Sequence, residues 1–471
     1  MSKRNLNKVQ KSAVESFGRP VLIFAGAGSG KTRVLTHKIA HLIEKNLVSA
    51  PNILAVTFTN KAAQEMKLRV SKLLKDKNTS VNLGTFHSIC ARILRREIHH
   101  LGYNADFSIF DVKDQVSLVK VVIEAMDIPK NYVTPQEVRH KISYFKNKLI
   151  HPDEAQSKAH LVIEKTYAEI YKNYQKALFE NNALDFDDLL ILPLQLFNNN
   201  PKVLEKYREN WKYILVDEYQ DTNKPQFMLI KYLAGSHHQV CVVGDDDQSI
   251  YGWRGADIRN ILDFEKTFKN CEVFKLEKNY RSSGNILEAA SSVVKNNEDR
   301  APKDLKANNG LGEKLGLIET HDEMEEADAI VNALEKEIKL EKRNFIDFAI
   351  LYRTNSQSRA LEDSFRRSGI PYNIVGGVRF YERKEIKDLM GYLSLIVNTK
   401  DTISMRRVIN FPPCGIGVKT VDKCVIQAEN DKIEMLDVLN NPEAMGIRGK
   451  QADSLMRFYN LIKKYNELIP K

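Results

Sequence analysis

The chain has 471 residues, of which 43% are hydrophobic and 28% charged, and its formal net charge is +10 at pH 7. The length predicts a globular protein of about three or four domains, and the lack of an apolar run of roughly 18 residues argues against a membrane-spanning class. The five scattered cysteines, without CxxC spacing, argue against a disulfide framework or a cysteine-rich zinc site. Together with an N-terminus that lacks the apolar region of a signal peptide, they favour a cytoplasmic protein. The basic balance favours a polyanionic partner, with nucleic acid as the first candidate.

Apolar strand-like runs alternate with helical patterns along much of the chain. VLIFA precedes a glycine-rich turn and a helical stripe of Val34, Ile39, Leu42 and Ile43, and ILAVTF precedes a second helix with Asn60 as its predicted N-cap. WKYILVDE and HHQVCVVGDD are two further apolar runs that end in acids. This alternation predicts an α/β fold with a parallel sheet covered by helices on both faces.

Other stretches depart from the first α/β pattern. Residues 104–195 are rich in lysine, tyrosine and helical patterns, which predicts a helical insertion. A second α/β pattern begins at about residue 279, with FIDFAILYRT as its clearest predicted strand. From about Val378 the chain is predicted to be helical again, with FPPCGIGVKT as a turn.

A glycine-rich segment follows the first predicted strand and opens a helix. It matches the phosphate-binding loop pattern except at its first position, and it consists of Ala25, Gly26, Ala27, Gly28, Ser29, Gly30, Lys31 and Thr32. Backbone N–H groups of such a turn wrap phosphate oxygens, and the helix N-terminus adds positive potential. Lys31 is expected to reach the β- and γ-phosphates, and the Thr32 hydroxyl to bind Mg²⁺. The alternative is a glycine-rich turn without a ligand.

An acidic pair follows another predicted strand, in YILVDEYQD. Asp217 is placed to hold Mg²⁺, and Glu218 can take a proton from an attacking water molecule. A solvated strand end is the alternative for an acidic pair alone. In the same sheet as a phosphate loop, the pair favours hydrolysis over transfer to a small molecule.

The segment GDDDQSIYGWRGAD combines three consecutive aspartates with two aromatic residues and an arginine. Because Asp217 is the better metal ligand, we expect Asp245, Asp246 and Asp247 to shape the turn and hold neighbouring groups.

These residues resemble those of superfamily 1 DNA helicases of the UvrD/Rep/PcrA family. The similar segments occur in the family's order, and they are LNKVQKSAV, TFTNKAAQEM, GTFHS, LDFDDLL, VDEYQDTN, GDDDQSIYGWRGAD and NYRSS. The resemblance implies RecA-like P-loop motor domains, that is, parallel sheets with flanking helices, and helical insertions. The implied organisation is a first motor domain at 1–103 and 196–278, a helical insertion at 104–195, part of a second motor domain at 279–377 and part of a helical accessory domain at 378–471.

The resemblance also implies roles at an ATP and Mg²⁺ site. Lys31, Thr32, Asp217 and Glu218 take the roles given above. Further nucleotide contacts implied by the matching motifs are Gln10 as adenine reader, Arg33 and Tyr280 around the adenine, Gln248 as γ-phosphate sensor and Arg281 as arginine finger. A finger donated across a domain cleft is worth roughly 10³–10⁵ in rate. The alternative for Arg281 is a surface arginine that caps a turn.

A track for single-stranded DNA is implied in the same way. The matching positions are Phe58, His87, Phe186, Tyr251, Trp253 and Arg254. Aromatic residues beside cations bind any single strand, because every base offers a π-face and every nucleotide a phosphate. Core packing is the alternative for Phe58 and, less readily, for the glycine-flanked Trp253. The turn around Cys414 is similar to the family's GIG-type hairpin, which meets duplex backbone, although the family often has a basic residue at that position.

The implied function is an ATP-dependent 3′→5′ DNA helicase or translocase in repair or replication, acting on single strands and on single-strand/duplex junctions as a monomer or weak dimer. Two later family motifs, a Gly-Leu-Glu segment and a VxxTRA-type helix, do not occur here. We therefore expect a C-terminally incomplete chain that binds nucleotide and single strands and unwinds poorly or not at all.

Three alternatives stay open at this point. The first is the helicase subunit of a helicase–nuclease complex, although such chains usually carry larger insertions and a nuclease extension. The second is a nucleotide-gated binding module without hydrolysis, against which the acidic pair and Lys31 argue. The third is a small-molecule kinase, against which the aromatic track argues. Phosphate release stimulated by single-stranded DNA would separate the kinase from the helicase.

Overall fold

The computed structural model describes residues 6–75, 80–129, 131–235, 239–298, 300–341, 343–375 and 384–469. They divide into two compact units, one formed by Met1–Gly312 with Gly391–Lys471 and the other by Glu313–Met390. The strands in this part of the chain are β1 (Val21–Ala25), β2 (Ile53–Thr57), β3 (Asn82–Thr85), β4 (Ser108–Phe110), β5 (Ala183–Asp185), β6 (Tyr213–Val216), β7 (Val240–Gly244), β8 (Glu272–Leu276), β9 (Lys278–Asn279) and β10 (Lys306–Ala307).

The helices extend over most of the remaining described residues. They are α1 (Lys8–Glu15), α2 (Lys31–Glu44), α3 (Asn60–Leu74), α4 (Phe86–Glu97), α5 (Val112–Ala125), α6 (Pro135–Asn147), α7 (Pro152–Lys158), α8 (Val162–Glu180), α9 (Asp188–Asn199), α10 (Pro201–Asn210), α11 (Lys224–Ala234), α12 (Arg259–Leu262), α13 (Phe264–Thr267), α14 (Gly284–Val294), α15 (Glu323–Glu341), α16 (Ser358–Arg367), α17 (Lys384–Val397), α18 (Thr402–Val408), α19 (Val418–Asp431), α20 (Met435–Val438) and α21 (Lys450–Asn466).

A six-stranded sheet organises the first unit, in the order β3-β2-β6-β7-β1-β8, and all of its pairings are parallel. Every residue of β1, β2, β6 and β7 is buried, as expected for central strands covered on both faces. The predicted α/β fold with a parallel sheet is therefore confirmed. Because parallel strands end at one edge, the segments that follow β1, β6 and β7 lie at the same edge of the sheet.

Alternate residues of each strand point into two different apolar layers. Leu22 and Phe24 pack with residues of α4, α9, α10 and α11, whereas Ile23 and Ala25 pack with residues of α1, α2 and α3. This alternation follows from the period of two in a strand, and it places one layer of helices on each face of the sheet.

The start of α3 differs from the prediction that Asn60 caps it. Thr59 is the N-cap, and its side-chain oxygen accepts a hydrogen bond from the Ala62 N–H at 3.1 Å. Thr59 has the extended backbone that an N-cap needs, and Asn60 is already the first helical residue.

Between β4 and β5 the chain forms the predicted helical region, with helices α5 to α8 around a core that also includes Ile403 of α18. The two three-residue strands pair with each other in parallel, a feature that the sequence did not predict. Beside this core, Nζ of Lys146 donates to Asp185 Oδ2 and to Asp188 Oδ1, both at 2.7 Å, and all three residues are buried.

The unit Glu313–Met390 contains α15 and α16, joined through a small core of Val331, Leu334, Phe365 and Ile370. The predicted strand FIDFAILYRT is wrong, because Phe345–Asp347 is a short 3₁₀ helix and no strand follows it within the described residues 348–375. Ile346 is 90% exposed and Leu351 is 93% exposed. An apolar run becomes a strand only where neighbouring strands take its backbone hydrogen bonds.

The helices after residue 391 surround a separate core that includes Met405, Leu439 and Leu455. FPPCGIGVKT lies between α18 and α19 without a helix or strand until Val418, which confirms the predicted turn. Val378, where the helical pattern was predicted to begin, lies outside the described residues, and α17 begins at Lys384. Among the residues that the structure describes, no helix combines the length and apolar character required to cross a membrane.

Candidate functional site

The glycine-rich loop follows β1 and opens α2, as predicted. Gly28 and Gly30 have φ values of +67° and +94°, which favour glycine, and Gly30 is the N-cap of α2. A Cβ on Gly28 would also stand 2.6 Å from Cβ of Arg281. The loop therefore brings backbone N–H groups and the positive end of α2 together in a concave turn that suits a phosphate group.

The acidic pair after β6 lies against this loop. Nζ of Lys31 is 2.6 Å from Oε2 of Glu218, and the Thr32 hydroxyl donates to Oδ2 of Asp217 at 3.4 Å. Glu218 has a left-handed backbone with φ of +51°, which is uncommon outside glycine and occurs often at functional sites. The structure thus joins four of the residues predicted from two distant motifs.

Burial raises the pKa of Asp217 to about 6, and the neighbouring charge of Glu218 acts in the same direction, while Lys31 opposes both. A buried carboxylate of this kind favours a cation beside it. Hydroxyl and carboxylate oxygens are the ligand types that Mg²⁺ prefers, usually completed by water and substrate phosphates. The pair of Thr32 and Asp217 fits that chemistry, although the described residues contain no cluster of three or more His, Cys, Asp or Glu that could hold a metal alone.

Gln10 and Tyr280 lie on one side of the loop. Gln10 is buried, and its Nε2 donates to the carbonyl of Ser29 at 2.9 Å. Asn7 caps α1 with Gln10, and Asn7 Nδ2 also donates to the Tyr280 hydroxyl at 3.0 Å. Arg33 is partly exposed in the first turn of α2. The residues predicted to surround a nucleotide base therefore flank the phosphate loop.

The last residue of β9 and the residue after it dock directly on the loop. Asn279 Nδ2 donates to the Ala27 carbonyl at 2.6 Å, and the Tyr280 N–H donates to the Gly28 carbonyl at 2.9 Å. The Asn279 Oδ1 accepts the N–H groups of Arg281 and Ser282, both at 2.8 Å. Asn279 was missed by sequence reasoning, although an asparagine that bonds the backbone two residues onward is a recognised turn pattern. It places the exposed Arg281 beside the phosphate loop.

Gln248 lies in a short 3₁₀ helix, Asp246–Gln248, directly after β7. Its Nε2 donates to Oδ2 of Asp245, and the backbone N–H of Asp245 donates to Gln220 Oε1 at 3.0 Å. Gln220 Nε2 in turn donates to Glu218 Oε2 at 3.0 Å. Gln220 was missed as a site residue, and it joins the ends of β6 and β7.

The three aspartates hold neighbouring groups, as the sequence predicted. Asp245, Asp246 and Asp247 all form ion pairs with Lys303, and Asp247 also pairs with Arg300. Neither Lys303 nor Arg300 was identified from the sequence, because both are more than fifty positions from their partners.

A pair of aromatic residues, one partly exposed and one exposed, follows Gln248. The rings of Tyr251 and Trp253 lie 6.4 Å apart, and the Arg254 guanidinium lies 4.6 Å from the Trp253 ring. Trp253 is 74% exposed, so the core alternative is wrong for this residue. We call Tyr251, Trp253 and Arg254 the aromatic platform. Its flat faces and cation have the chemistry that binds bases and phosphates.

The other three residues predicted for the DNA track differ from one another in their exposure. Phe58 is partly buried and packs against the core, with its ring 6.0 Å from that of Phe86. Both core packing and a partly exposed face are therefore present at Phe58. His87 and Phe186 form a pair with ring centroids 5.2 Å apart, and Phe186 is exposed. Burial lowers the pKa of His87 to about 4, so its ring is neutral at pH 7.

Comparison with known proteins covers nearly the whole chain. The model of the UvrD/REP helicase N-terminal domain matches residues 6–269, and that of the UvrD-like helicase C-terminal domain matches residues 274–466. The ATP-dependent DNA helicase PcrA of Staphylococcus epidermidis is 46% identical over 460 residues, which is 98% of this chain and 63% of the relative. The protein of the same name from Staphylococcus aureus is 47% identical over 459 residues, again 98% of this chain and 63% of the relative.

The chain thus spans about 63% of the length of these curated relatives. The N-terminal family model alone matches more than half of the chain, and its range contains the phosphate loop, the acidic pair and the aromatic platform. The chain belongs to the UvrD/REP helicase family.

Proposed function

We propose that this chain acts in an ATP-dependent DNA helicase or translocase that moves 3′→5′ along single-stranded DNA. The observation that carries the proposal is the placement of three groups after three strands of one parallel sheet. The phosphate loop follows β1, the acidic pair follows β6, and Gln248 with the aromatic platform follows β7. A nucleotide site and a base-stacking surface at one sheet edge suit a motor that couples the two.

In the proposed hydrolysis, Lys31 binds the β- and γ-phosphates, and Glu218 takes a proton from the attacking water. Gln248 orients that water or senses the γ-phosphate, and Arg281 stabilises charge that develops on the transferred group. The docking of Asn279 and Tyr280 on Ala27 and Gly28 supports this role for Arg281, because it holds the arginine next to the loop.

Thr32 and Asp217 are the residues that would hold Mg²⁺, which when bound neutralises phosphate charge. The contact between the two side chains at 3.4 Å supports the assignment. Gln10, Arg33 and Tyr280 are proposed to hold the adenine end of ATP, with Gln10 fixed to the loop through Ser29.

For DNA, we assign base stacking to the exposed rings of Trp253 and Phe186 and the partly exposed ring of Tyr251, and phosphate binding to Arg254. His87 and the exposed face of Phe58 extend the track. Stacking and cation contacts of this kind carry no base preference, which suits a motor that moves along any sequence.

We also propose the finer assignments that membership of the family suggests. They are the motor, insertion and accessory domains at 1–103 with 196–278, 104–195, 279–377 and 378–471, action at single-strand/duplex junctions in repair or replication, a cytoplasmic location, and a monomer or weak dimer.

The deciding experiment measures binding of a fluorescent ATP analogue with Mg²⁺ and of a fluorescent oligo(dT) strand, together with phosphate release with and without oligo(dT). We expect the chain to bind both ligands and any phosphate release to increase with oligo(dT). Lys31→Met is the control that should lose nucleotide-dependent signals and keep oligo(dT) binding. Binding of neither ligand by the folded chain would overturn the proposal.

A further inference from the structure

The aspartates after β7 are fixed by a segment that comes more than fifty residues later. Nζ of Lys303 lies 2.7 Å from Asp245 Oδ1 and 3.0 Å from Asp247 Oδ2, and it also contacts Asp246 Oδ1. The Ala301 N–H donates to Asp246 Oδ2 at 2.7 Å. Arg300 adds two hydrogen bonds to Asp247, at 3.0 and 2.8 Å. We call residues 300–303 the latch segment.

This cluster is buried and strongly charged. The side chains of Lys303, Asp245 and Asp246 have at most 3% of their surface exposed. Burial lowers the pKa of Lys303, yet the attraction of the aspartates exceeds that effect and raises its pKa above the ordinary value. Three carboxylates face two cations. Buried ion clusters are weak contributors to stability but can specify one arrangement of the chain, so a positioning role accounts better for this one.

Hydrogen bonds connect the aspartates to the nucleotide site at every step. Asp245 accepts a hydrogen bond from Gln248 and donates its N–H to Gln220, which donates to Glu218, the partner of Lys31. Only two residues separate Gln248 from Tyr251 of the aromatic platform. The same turn is therefore connected through Gln220 to the acidic pair on one side and leads into the proposed DNA contacts on the other.

The chain that directly follows the latch segment reaches the phosphate loop. A Cβ on Gly26 would stand 2.2 Å from Leu305 Cδ2, so that side chain lies directly on the loop. Next to it, Lys306 and Ala307 pair with Lys278 and Asn279, the strand that leads to Tyr280 and Arg281. Contacts therefore link the turn that holds Gln248 to the phosphate loop and to the segment that contains Tyr280 and Arg281.

We propose that Lys303 and Arg300 are positioning residues that tie the aspartate turn to the phosphate loop, and that they thereby transmit the state of the nucleotide site to the aromatic platform. The inference rests on the proposed function, since it presupposes that the chain binds nucleotide and single-stranded DNA. Neither residue is assigned a contact with ATP or with DNA. Their loss should therefore change the coupling between the two ligands more than the affinity for either one.

The test is the ratio of oligo(dT) dissociation constants measured with and without a non-hydrolysable ATP analogue and Mg²⁺. Coupling between sites typically changes affinity by about 5–150-fold. We expect such a ratio in the wild-type chain and a ratio close to one in Lys303→Met and in Arg300→Gln. Nucleotide affinity, and oligo(dT) affinity without nucleotide, should stay near the wild-type values.

Three variants keep the result interpretable. Arg300→Gln decides the matter if Lys303→Met fails to fold, because Arg300 lies at the more exposed end of the cluster. Arg300→Lys keeps the charge but not the paired hydrogen bonds, and should restore part of the ratio. Lys266→Met is the matched control, because Lys266 is exposed and pairs with its near neighbour in sequence Asp263 at 2.7 Å.

The outcomes separate this inference from the proposed function. Wild-type coupling that persists in folded Arg300→Gln and Lys303→Met would overturn the inference alone, as would the absence of coupling in a wild-type chain that binds both ligands. Loss of nucleotide binding in both variants would overturn it too, by assigning the cluster to the nucleotide site itself. A wild-type chain that binds neither ligand would overturn both conclusions.

Discussion

In the nucleotide site, Nζ of Lys31 lies 2.6 Å from Oε2 of Glu218, so the proposed phosphate-binding lysine and the proposed base form an ion pair with each other. Charge-assisted hydrogen bonds of this kind are among the stronger ones in proteins. A triphosphate that binds Lys31 must therefore compete with Glu218 for the ammonium group. Release of Glu218 from Lys31 would free the carboxylate to accept a proton, which links nucleotide binding to activation of the base.

Glu218→Gln should separate binding from hydrolysis. The amide removes the negative charge that competes for Lys31, so we expect nucleotide affinity to stay equal or increase. The amide cannot accept a proton as a base, so we expect phosphate release to fall by a factor of about 10²–10⁴. Titration with a fluorescent ATP analogue and a phosphate-release assay measure the two effects.

Lys31→Met is the matched control for Glu218→Gln, since it removes the other partner of the same ion pair. We expect it to lose nucleotide affinity as well as hydrolysis. If Glu218→Gln loses nucleotide affinity as Lys31→Met does, the carboxylate serves to build the site, and the competition described above does not occur.

Trp253→Ala should weaken binding of single strands and leave the fold intact. Loss of one stacked base costs about 1–3 kcal/mol of binding free energy. Because Trp253 is 74% exposed, we expect the substitution to change the free energy of unfolding of the protein by no more than about 0.5 kcal/mol. Nucleotide affinity in the absence of DNA should stay unchanged. Oligo(dT) titration, urea unfolding and nucleotide titration check the three statements.

The second tryptophan provides the control for the first. Trp211 is only 7% exposed and packs with its ring 5.1 Å from that of Tyr207. Trp211→Ala should cost about 3–5 kcal/mol of stability, with no specific effect on DNA binding by the protein that remains folded. If Trp253→Ala lowered the free energy of unfolding as much as Trp211→Ala does, Trp253 would have to be a core residue.

Much of the site was predictable because its residues lie in short motifs beside strands. The loop from Ala25 to Thr32, the pair Asp217 and Glu218 and the aromatic platform all follow apolar runs whose strand character was clear. Parallel pairing then brings their ends to one edge of the sheet. Local pattern and one topological rule were sufficient to place these residues in the same region.

The remaining features depend on contacts that local pattern does not encode. Lys303 contacts Asp246 across 57 residues of sequence, and the residues beside each of them give no local pattern that predicts the contact. FIDFAILYRT has the composition of a strand, but strand formation depends on a neighbour's backbone. The predicted N-cap of α3, Asn60, was wrong by one residue, because Thr59 and Asn60 can both accept the hydrogen bond that an N-cap accepts.

The partly buried His87 predicts a pH dependence of stability. Burial lowers its pKa to about 4 from an ordinary value of 6.5. Between these values the unfolded chain binds the proton and the folded chain does not, so stability contributed by neutral His87 is present above pH 6.5 and falls as the pH drops towards 4. His87→Gln, which does not titrate, should flatten the decline in unfolding free energy over this window.

Urea unfolding of the wild type and His87→Gln at several pH values between 4 and 7 measures the difference.

The same two proteins also test the role of the ring at neutral pH, where a neutral His87 stacks but adds no charge. The salt dependence of oligo(dT) binding at pH 7 should be equal in both, because it counts phosphate charges neutralised. A shallower salt dependence in His87→Gln would show that the folded histidine carries a proton.

Lys146→Met should destabilise the chain far more than the loss of an exposed ion pair. Lys146 is buried between Asp185 and Asp188, each 2.7 Å from its Nζ, and its removal leaves two buried carboxylates without their cation. Breaking a buried pair in this way typically costs about 3–5 kcal/mol. Lys158→Met is the matched control, because Lys158 is exposed and pairs with Glu154 at 2.6 Å, and such surface pairs contribute about 0–1 kcal/mol. Urea unfolding at pH 7 measures both variants, and equal midpoints would contradict the structural role assigned to Lys146.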